Sequence, residues 1–315
     1  MTRYAIIGGA GFIGSHFVDE LAKRGQQITV IDNLCSGSIS RISEHLGRPF
    51  FNFFELDVEN TPLLINAIKD IDIVIHLASN PDIAKAVSSP RIDFSQGTAL
   101  TESVLEACRI SKIKKVLYAS GSGVYSDSGT KLLDETSLLE PISTYGASKL
   151  AGEALLSAYS FMFGISGVAF RFANVVGPRQ THGVAFDFIR KLRNNPNELV
   201  VLGNGTQTKS YIHVSDVVSA VLHAASLQDF GFNVYNVATT DAITVREISE
   251  IVILEMFSTI AKTNVVFGES DRGWKADVPK IYMDSTKICG TGWKPKYSSK
   301  DAMAAAVRAL VSESY

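Results

Sequence analysis

The sequence predicts an α/β protein: a Rossmann-type doubly wound parallel sheet carrying a smaller C-terminal α/β substrate lobe. Three observations predict it. The chain opens on an apolar run, a glycine-rich turn and an amphipathic stretch; strand-length apolar runs then alternate with amphipathic stretches as far as residue 172; past Gly177-Pro178 the alternation gives way to glycine-rich turns and short mixed elements.

Taken in order, Tyr4-Ala-Ile-Ile7 suits a buried parallel strand, and Gly8-Gly-Ala-Gly11-Phe12-Ile13-Gly14 follows it directly, leading into a helix over Phe12 to Arg24 that stops at Gly25. In a strand-turn-helix of this kind Gly8 allows the tight turn, Gly11 lets the backbone approach a pyrophosphate, and Gly14 permits close helix packing, with the phosphates at the positive helix end. A second strand, Gln27 to Ile31, delivers Asp32 eighteen residues past Gly14. An acid there holds two ribose hydroxyls and repels a 2′-phosphate, and no arginine follows directly, so the expected cofactor is NAD and not NADP.

Further strands are expected over Phe50 to Glu55, Ile71 to Leu77, Lys115 to Ser120 and Val168 to Phe172, with helices over Pro62 to Lys69, Gln96 to Ile110 and Tyr145 to Phe161. Turns at Gly203-Asn-Gly205 and Gly231 belong to the later lobe. The expected division is 1–173 for NAD binding and 174–315 for the substrate, with segments free to interleave.

Composition bounds the function. The 315 residues are 46% hydrophobic, enough for two small domains or one large unit with a lobe. A formal net charge of −2 predicts no broad cationic surface for nucleic acid or anionic lipid. Cys35, Cys108 and Cys289 are widely spaced and fit neither a disulfide framework nor a zinc site, so no metal is expected and a reduced, cytoplasmic setting is. No run approaches the roughly 18 apolar residues that a membrane span needs.

The chemistry is concentrated in Ser143-Thr-Tyr145-Gly-Ala-Ser-Lys149. Tyr145 and Lys149 are four apart and share one helix face, where an ammonium can stabilise a phenolate and bring the phenol down from its ordinary value near 10. A tyrosine so tuned is a general base for an alcohol. Alone the pair would more often be two exposed residues on a solvated helix; behind a dinucleotide turn and an acid-terminated strand it is a redox pair. His76, on an apolar strand with no acid at a useful spacing, reads as a satisfied buried histidine, and Trp274 and Trp293 read as packing.

In these motifs the chain resembles the extended short-chain dehydrogenase/reductase family, in its nucleotide-sugar epimerase branch, most like the UDP-glucose (UDP-galactose) 4-epimerases. The resemblance runs through the glycine turn, Asp32-Asn33-Leu-Cys-Ser36-Gly37, Leu56-Asp57-Val58, His76-Leu77-Ala78, Tyr145 to Lys149, Arg171-Phe172-Ala-Asn174-Val-Val-Gly-Pro-Arg179, and Gly203 to Asp216. It implies that Asp32, Asn33, Ser36 and Gly37 hold the adenosine ribose, Asp57 and Val58 the adenine, and Leu77, Ala78 and Ser79 the middle of the cofactor, with Phe172 beside it. It further implies that Asn174, Val184, Lys209, Tyr211, Arg272 and Asp277 line or support a UDP-hexose site. The implied reaction is a transient oxidation in which Tyr145 takes the 4-hydroxyl proton, C4 gives a hydride to NAD, and the 4-keto sugar turns and is reduced on its other face. Lys149 bonds the nicotinamide ribose. A homodimer through a four-helix bundle built from Gln96 to Ile110 and Tyr145 to Phe161 is also implied; Leu100, Val104 and Leu155 fit such an interface and equally fit packing on the sheet.

The departures carry information too. Gly121, in Ala119-Ser120-Gly121-Ser122-Gly123-Val124-Tyr125, stands where relatives carry a Ser or Thr that bridges substrate and tyrosine, which leaves Ser122, Ser120 or a water to serve. Such a change predicts a slow or repurposed enzyme. Gly97 replaces an asparagine near the nicotinamide, Ile7 replaces a threonine, and Lys209-Ser210 replaces Arg-Asp, which keeps charge but loses the guanidinium fork. Ser122 and Gly123 stand where dehydratases of the family place an Asp-Glu pair, so elimination lacks its acid. Epimerisation is the first reading; another nucleotide-sugar oxidoreductase, or a regulatory NAD and sugar-nucleotide binder, is the alternative.

Overall fold

The computed structural model describes residues 1–315 apart from 81–82, 128, 130, 228–230, 260–261, 274–277 and 314–315. Five strands pair in parallel: β1 (Arg3–Ile7), β2 (Gln27–Asp32), β3 (Phe51–Glu55), β4 (Ile73–His76) and β5 (Lys115–Gly121). The strands Ser166–Phe172 and Phe232–Val237 complete a seven-stranded sheet, in the order Phe232–Val237, Ser166–Phe172, β5, β4, β1, β2, β3. Covered on both faces, its central strands are apolar runs and not alternating patterns. The chain leaves β1 toward β2 and β3, then returns to the other side of β1 as β4. The carboxyl ends of β1 and β4 therefore flank the point where the strand order reverses, the place such sheets bind ligands.

The helix α1 (Phe12–Lys23) follows β1, and α2 (Thr61–Ala67) follows β3. Helix Leu100–Ile110 packs on the sheet with α2: Val104, Leu105 and Cys108 are buried with Ile68, Val74, Val116 and Tyr118 in one cluster. Leu100 and Val104 are 8% and 0% exposed in that cluster, so of the two uses open to them sheet packing is the one taken.

Two expected helices differ. Helix Gln96 to Ile110 is a π-helical turn over Phe94–Ala99 followed by an α-helix from Leu100. The wide turn lies where Gly97 meets the later helix Thr144–Phe163: a Cβ on Gly97 would sit 2.6 Å from Ser148 Oγ. A side chain at position 97 would therefore have to displace Ser148. The second helix begins one residue early, at Thr144, because the Ser143 hydroxyl caps it by accepting from Gly146 N.

By contacts the chain divides into two compact units: Met1–Val124, Leu139–Arg171 and Val221–Tyr235 in one, Tyr125–Leu138, Phe172–Ala220 and Asn236–Tyr315 in the other. The first holds most of the large sheet. The second has its own core, in which helices Val184–Asn194, Val245–Phe257 and Ser299–Ser312 bury Phe188, Leu192, Ile248, Val252, Met303 and Val307. Among the described residues no helix is long and apolar enough to cross a membrane.

Candidate active site

The turn after β1 is built as its glycines require. Gly8 has φ 81°, and its N–H donates to Ile31 O at the end of β2. A Cβ on Gly14 would meet Gly8 O at 2.2 Å, so α1 seats on the turn backbone only because residue 14 has no side chain. Gly11 is the helix N-cap, with Phe12 and Ile13 in the first turn, so free N–H groups face the position a pyrophosphate would take.

Asp32, 8% exposed, ends β2 and accepts from two backbone amides: Ala10 N to Oδ2 and Leu34 N to Oδ1, each 2.9 Å. It thereby fixes the glycine turn as well as offering a carboxylate at its edge. Burial pushes its acid above the usual carboxylate range, against the two amides and Arg41. That arginine was not visible from spacing. Nine residues past Asp32, it folds back so that Nη1 donates to Ala10 O and Ser36 O at 3.3 and 3.4 Å. Asn33 reaches the end of the neighbouring strand, donating to Asp57 Oδ2 at 3.1 Å, while Asp57 Oδ1 accepts from Glu59 N. Asn60 caps α2, its side chain accepting from Leu63 N. Ser36, Gly37, buried Val58, and Leu77, Ala78 and Ser79 after β4 all belong to this first unit. Phe172, buried at the end of its strand, falls in the second.

Tyr145 and Lys149 share the first turns of helix Thr144–Phe163. Lys149, 3% exposed, donates from Nζ to Ala119 O at 2.8 Å, and its ammonium lies 5.3 Å from the Tyr118 ring centre and 5.5 Å from that of Tyr145. Burial lowers it to about 8, with Asp93 opposing. The expectation for Tyr145 is corrected here: burial pushes the phenol up to about 12, the Ser79 hydroxyl works against this, and Asp93 adds to it. In the chain by itself, desolvation of the phenolate outweighs the hydrogen bond from Ser79.

Ser120 is committed elsewhere. It donates to Glu153 Oε1, and Glu153 in turn receives Arg171 through Nε at 3.0 Å and Nη2 at 2.7 Å, both partners about 5% exposed or less. Of the two serines beside Gly121, only Ser122, half-buried at the head of the turn Ser122–Val124, keeps a hydroxyl uncommitted to that network. The Tyr125 hydroxyl bonds Asn236 and Asp134 O. His76 is satisfied at Nε2 by Thr101 Oγ1, 3.1 Å away, but its buried Nδ1 has no partner, and burial holds it neutral, down to about 3.

In the second unit, Asn174 opens a short strand paired in parallel with Tyr211–His213, opposite Tyr211, and donates to Ser210 O. Lys209 pairs with Ile281, which is buried, and Tyr211 N donates to Ser299 Oγ. Val184 starts a helix. The turn at Gly203 lies against the segment of Arg272, whose carbonyl oxygen is 3.1 Å from where a Gly203 Cβ would stand. Asp277 and Trp274 lie outside the described residues. Trp293 is packed, 5% exposed, with Nε1 donating to Ser219.

Sequence reasoning missed Asp93, Asn80, Glu153 and Arg171. The last two had a signal: an arginine inside the apolar strand Val168 to Phe172 must find a buried acid, and Glu153 lies one turn past Lys149. Asp93 had none.

A parallel sheet with a glycine turn and an acid-ended second strand, carrying a Tyr-x-x-x-Lys helix beside it, defines a Rossmann-like protein of the extended short-chain dehydrogenase/reductase type. The comparisons place it further. Residues 4–238 match the NAD dependent epimerase/dehydratase family, and the chain belongs to that family. It is similar to a crystal structure of a UDP-galactose 4-epimerase at 36% identity, covering 98% of both chains with a TM-score of 0.87. A protein of Methanocaldococcus jannaschii assigned as a UDP-glucose 4-epimerase is 32% identical over 95% of each. A dTDP-D-glucose 4,6-dehydratase of Dictyostelium discoideum is 33% identical over 80% of this chain and 62% of its own length.

Proposed function

We propose that this protein interconverts the C4 epimers of a UDP-hexose, UDP-glucose and UDP-galactose or their N-acetyl forms, through a transient 4-keto sugar. One observation carries the reading: behind a dinucleotide turn the chain supplies Tyr145 and a buried Lys149 that donates to Ala119 on β5, yet places Ser122-Gly123 where elimination needs an acid pair. The similarity to a UDP-galactose 4-epimerase over nearly the whole chain supports it; the dehydratase similarity gives the second reading.

NAD, bound at the glycine turn and Asp32, supplies the acceptor and donor of the C4 hydride. The chain does the rest. Tyr145 accepts the proton of the 4-hydroxyl and returns it to the inverted alcohol. Lys149 contributes a buried positive charge beside it and a donor for a ribose hydroxyl. Ser122 offers the hydroxyl that Ser120 cannot, since Ser120 is bound to Glu153. Asn33, Ser36, Gly37, Asp57, Val58, Leu77, Ala78, Ser79 and Phe172 complete the cofactor site, while Asn174, Val184, Lys209, Tyr211, Arg272 and Asp277 bind the nucleotide sugar. The protein works in the cytoplasm as a homodimer through its paired helices.

The test is incubation of purified protein with UDP-galactose and with UDP-N-acetylgalactosamine, with and without added NAD, following the 4-epimers by chromatography. Conversion of either supports the reading and names the sugar. Absence of conversion while NAD and a UDP-sugar remain bound overturns it.

A further inference from the structure

Asp93 is buried at 0% exposure, at the end of the short helix Arg91–Asp93 and directly before the π-helical turn. Its Oδ1 accepts from Asn80 Nδ2 at 2.8 Å and its Oδ2 from Thr144 Oγ1 at 2.7 Å. Both donors are neutral, and among the described residues no cation forms an ion pair with it. A carboxylate sealed from water depends on the donors that hold it, and here those donors are the Asn80 amide and the Thr144 hydroxyl. Its two partners are informative. Thr144 immediately precedes Tyr145, and Asn80 immediately follows Ser79, the residue whose hydroxyl pairs with the Tyr145 phenol.

We infer that Asp93 is a positioning residue for the Tyr145–Lys149 pair: through Thr144 and Asn80 it ties the start of the tyrosine helix to the loop after β4 and sets a carboxylate beside the pair. The π-helical turn after it is what lets this carboxylate reach the helix start while Gly97 makes room for Ser148. Among the described residues, the charged and titratable groups around the pair are His76 from β4, Tyr118 from β5 and Asp93, with Glu153, on the pair's own helix, beside Tyr118 and paired with Arg171. Glu153 is paired with Arg171 and burial holds His76 neutral, while Asp93 acts to raise both Lys149 and Tyr145.

The role deepens the proposed epimerase reading, but its test does not depend on turnover. In protein labelled with [13Cε]lysine and saturated with NAD, the Lys149 resonance, identified by its loss in Lys149→Met, is titrated by NMR. Asp93→Asn keeps the shape, because Asn80 can still donate to the amide oxygen while the Thr144 hydroxyl turns to accept. It should lower the Lys149 midpoint by about one pH unit relative to wild type, and Asp93→Glu should restore most of it. A midpoint unmoved in a folded Asp93→Asn protein overturns the inference. Thr144→Val retains the charge and cuts the tether: the midpoint should stay and kcat fall about tenfold at unchanged KM, the loss of a positioning contact. Should Asp93→Asn not fold, Thr144→Val carries the test, and a wild-type kcat in it overturns the tether. If no UDP-hexose is turned over by wild type, the function fails while the lysine titration still decides the role of Asp93.

Discussion

At the scale of single residues, Tyr145 is a phenol made harder to ionise by its own chain, up to about 12, with Lys149 brought down to about 8 beside it. The polypeptide alone therefore does not bring the phenol down into the range of a working base. Tyr145→Phe should lower epimerisation at least about 100-fold, the scale of a general base, with the unfolding midpoint unchanged; activity within a few-fold of wild type would remove Tyr145 from the chemistry. His76 sets an acid limit. Its folded value of about 3 lies below the ordinary 6.5, so the unfolded chain binds a proton that the folded chain refuses, and stability falls as pH drops from 6.5 toward 3. A His76→Gln variant should lose less stability than wild type across that window, measured by urea unfolding at several pH values. Among the described residues, Glu153–Arg171 is the most buried ion pair. Arg171→Met strands a buried carboxylate and should cost about 3–5 kcal/mol in denaturant unfolding.

At the scale of elements, the most legible part of the sequence was β1, α1 and β2, because three glycines at fixed spacing, an apolar run on either side and a terminal acid constrain each other. The start of the Tyr145 helix was nearly legible, with Ser143 as an ordinary cap. The π-helical turn was not: Gly97 looked like a lost asparagine, and only the packing of Ser148 against it shows why the position is bare. Gly97→Asn should therefore lower the thermal unfolding midpoint by several degrees, and Gly97→Asn with Ser148→Gly should recover most of the loss by removing the opposing Oγ and Cβ. A double variant no more stable than the single one would place the conflict elsewhere. The Asp93 cluster was invisible because a lone acid after Pro90 carries no periodic signal.

At the scale of the whole molecule, the alternation of strands and helices gave the sheet, but not its outermost strand. Phe232–Val237 lies some sixty residues past Ser166–Phe172, beyond a stretch of irregular elements, and a pairing so distant leaves no local trace. The same long-range pairing explains why neither compact unit is one continuous stretch. A homodimer would use the outer faces of helices Leu100–Ile110 and Thr144–Phe163. Leu100 and Val104 are spent on the core, whereas Phe161 and Met162 are 92% and 68% exposed at the end of the second helix. Light scattering should give twice the 34.1 kDa of one chain, and Phe161→Asp with Met162→Asp should shift it toward a monomer. A wild-type monomer would reject the dimer. The central claim, inversion at C4 by removing and returning one hydride within a single site, is tested most directly with UDP-galactose deuterated at C4. The account predicts UDP-glucose that retains the deuterium at C4 in ordinary water. Product carrying solvent hydrogen at C4 would contradict it.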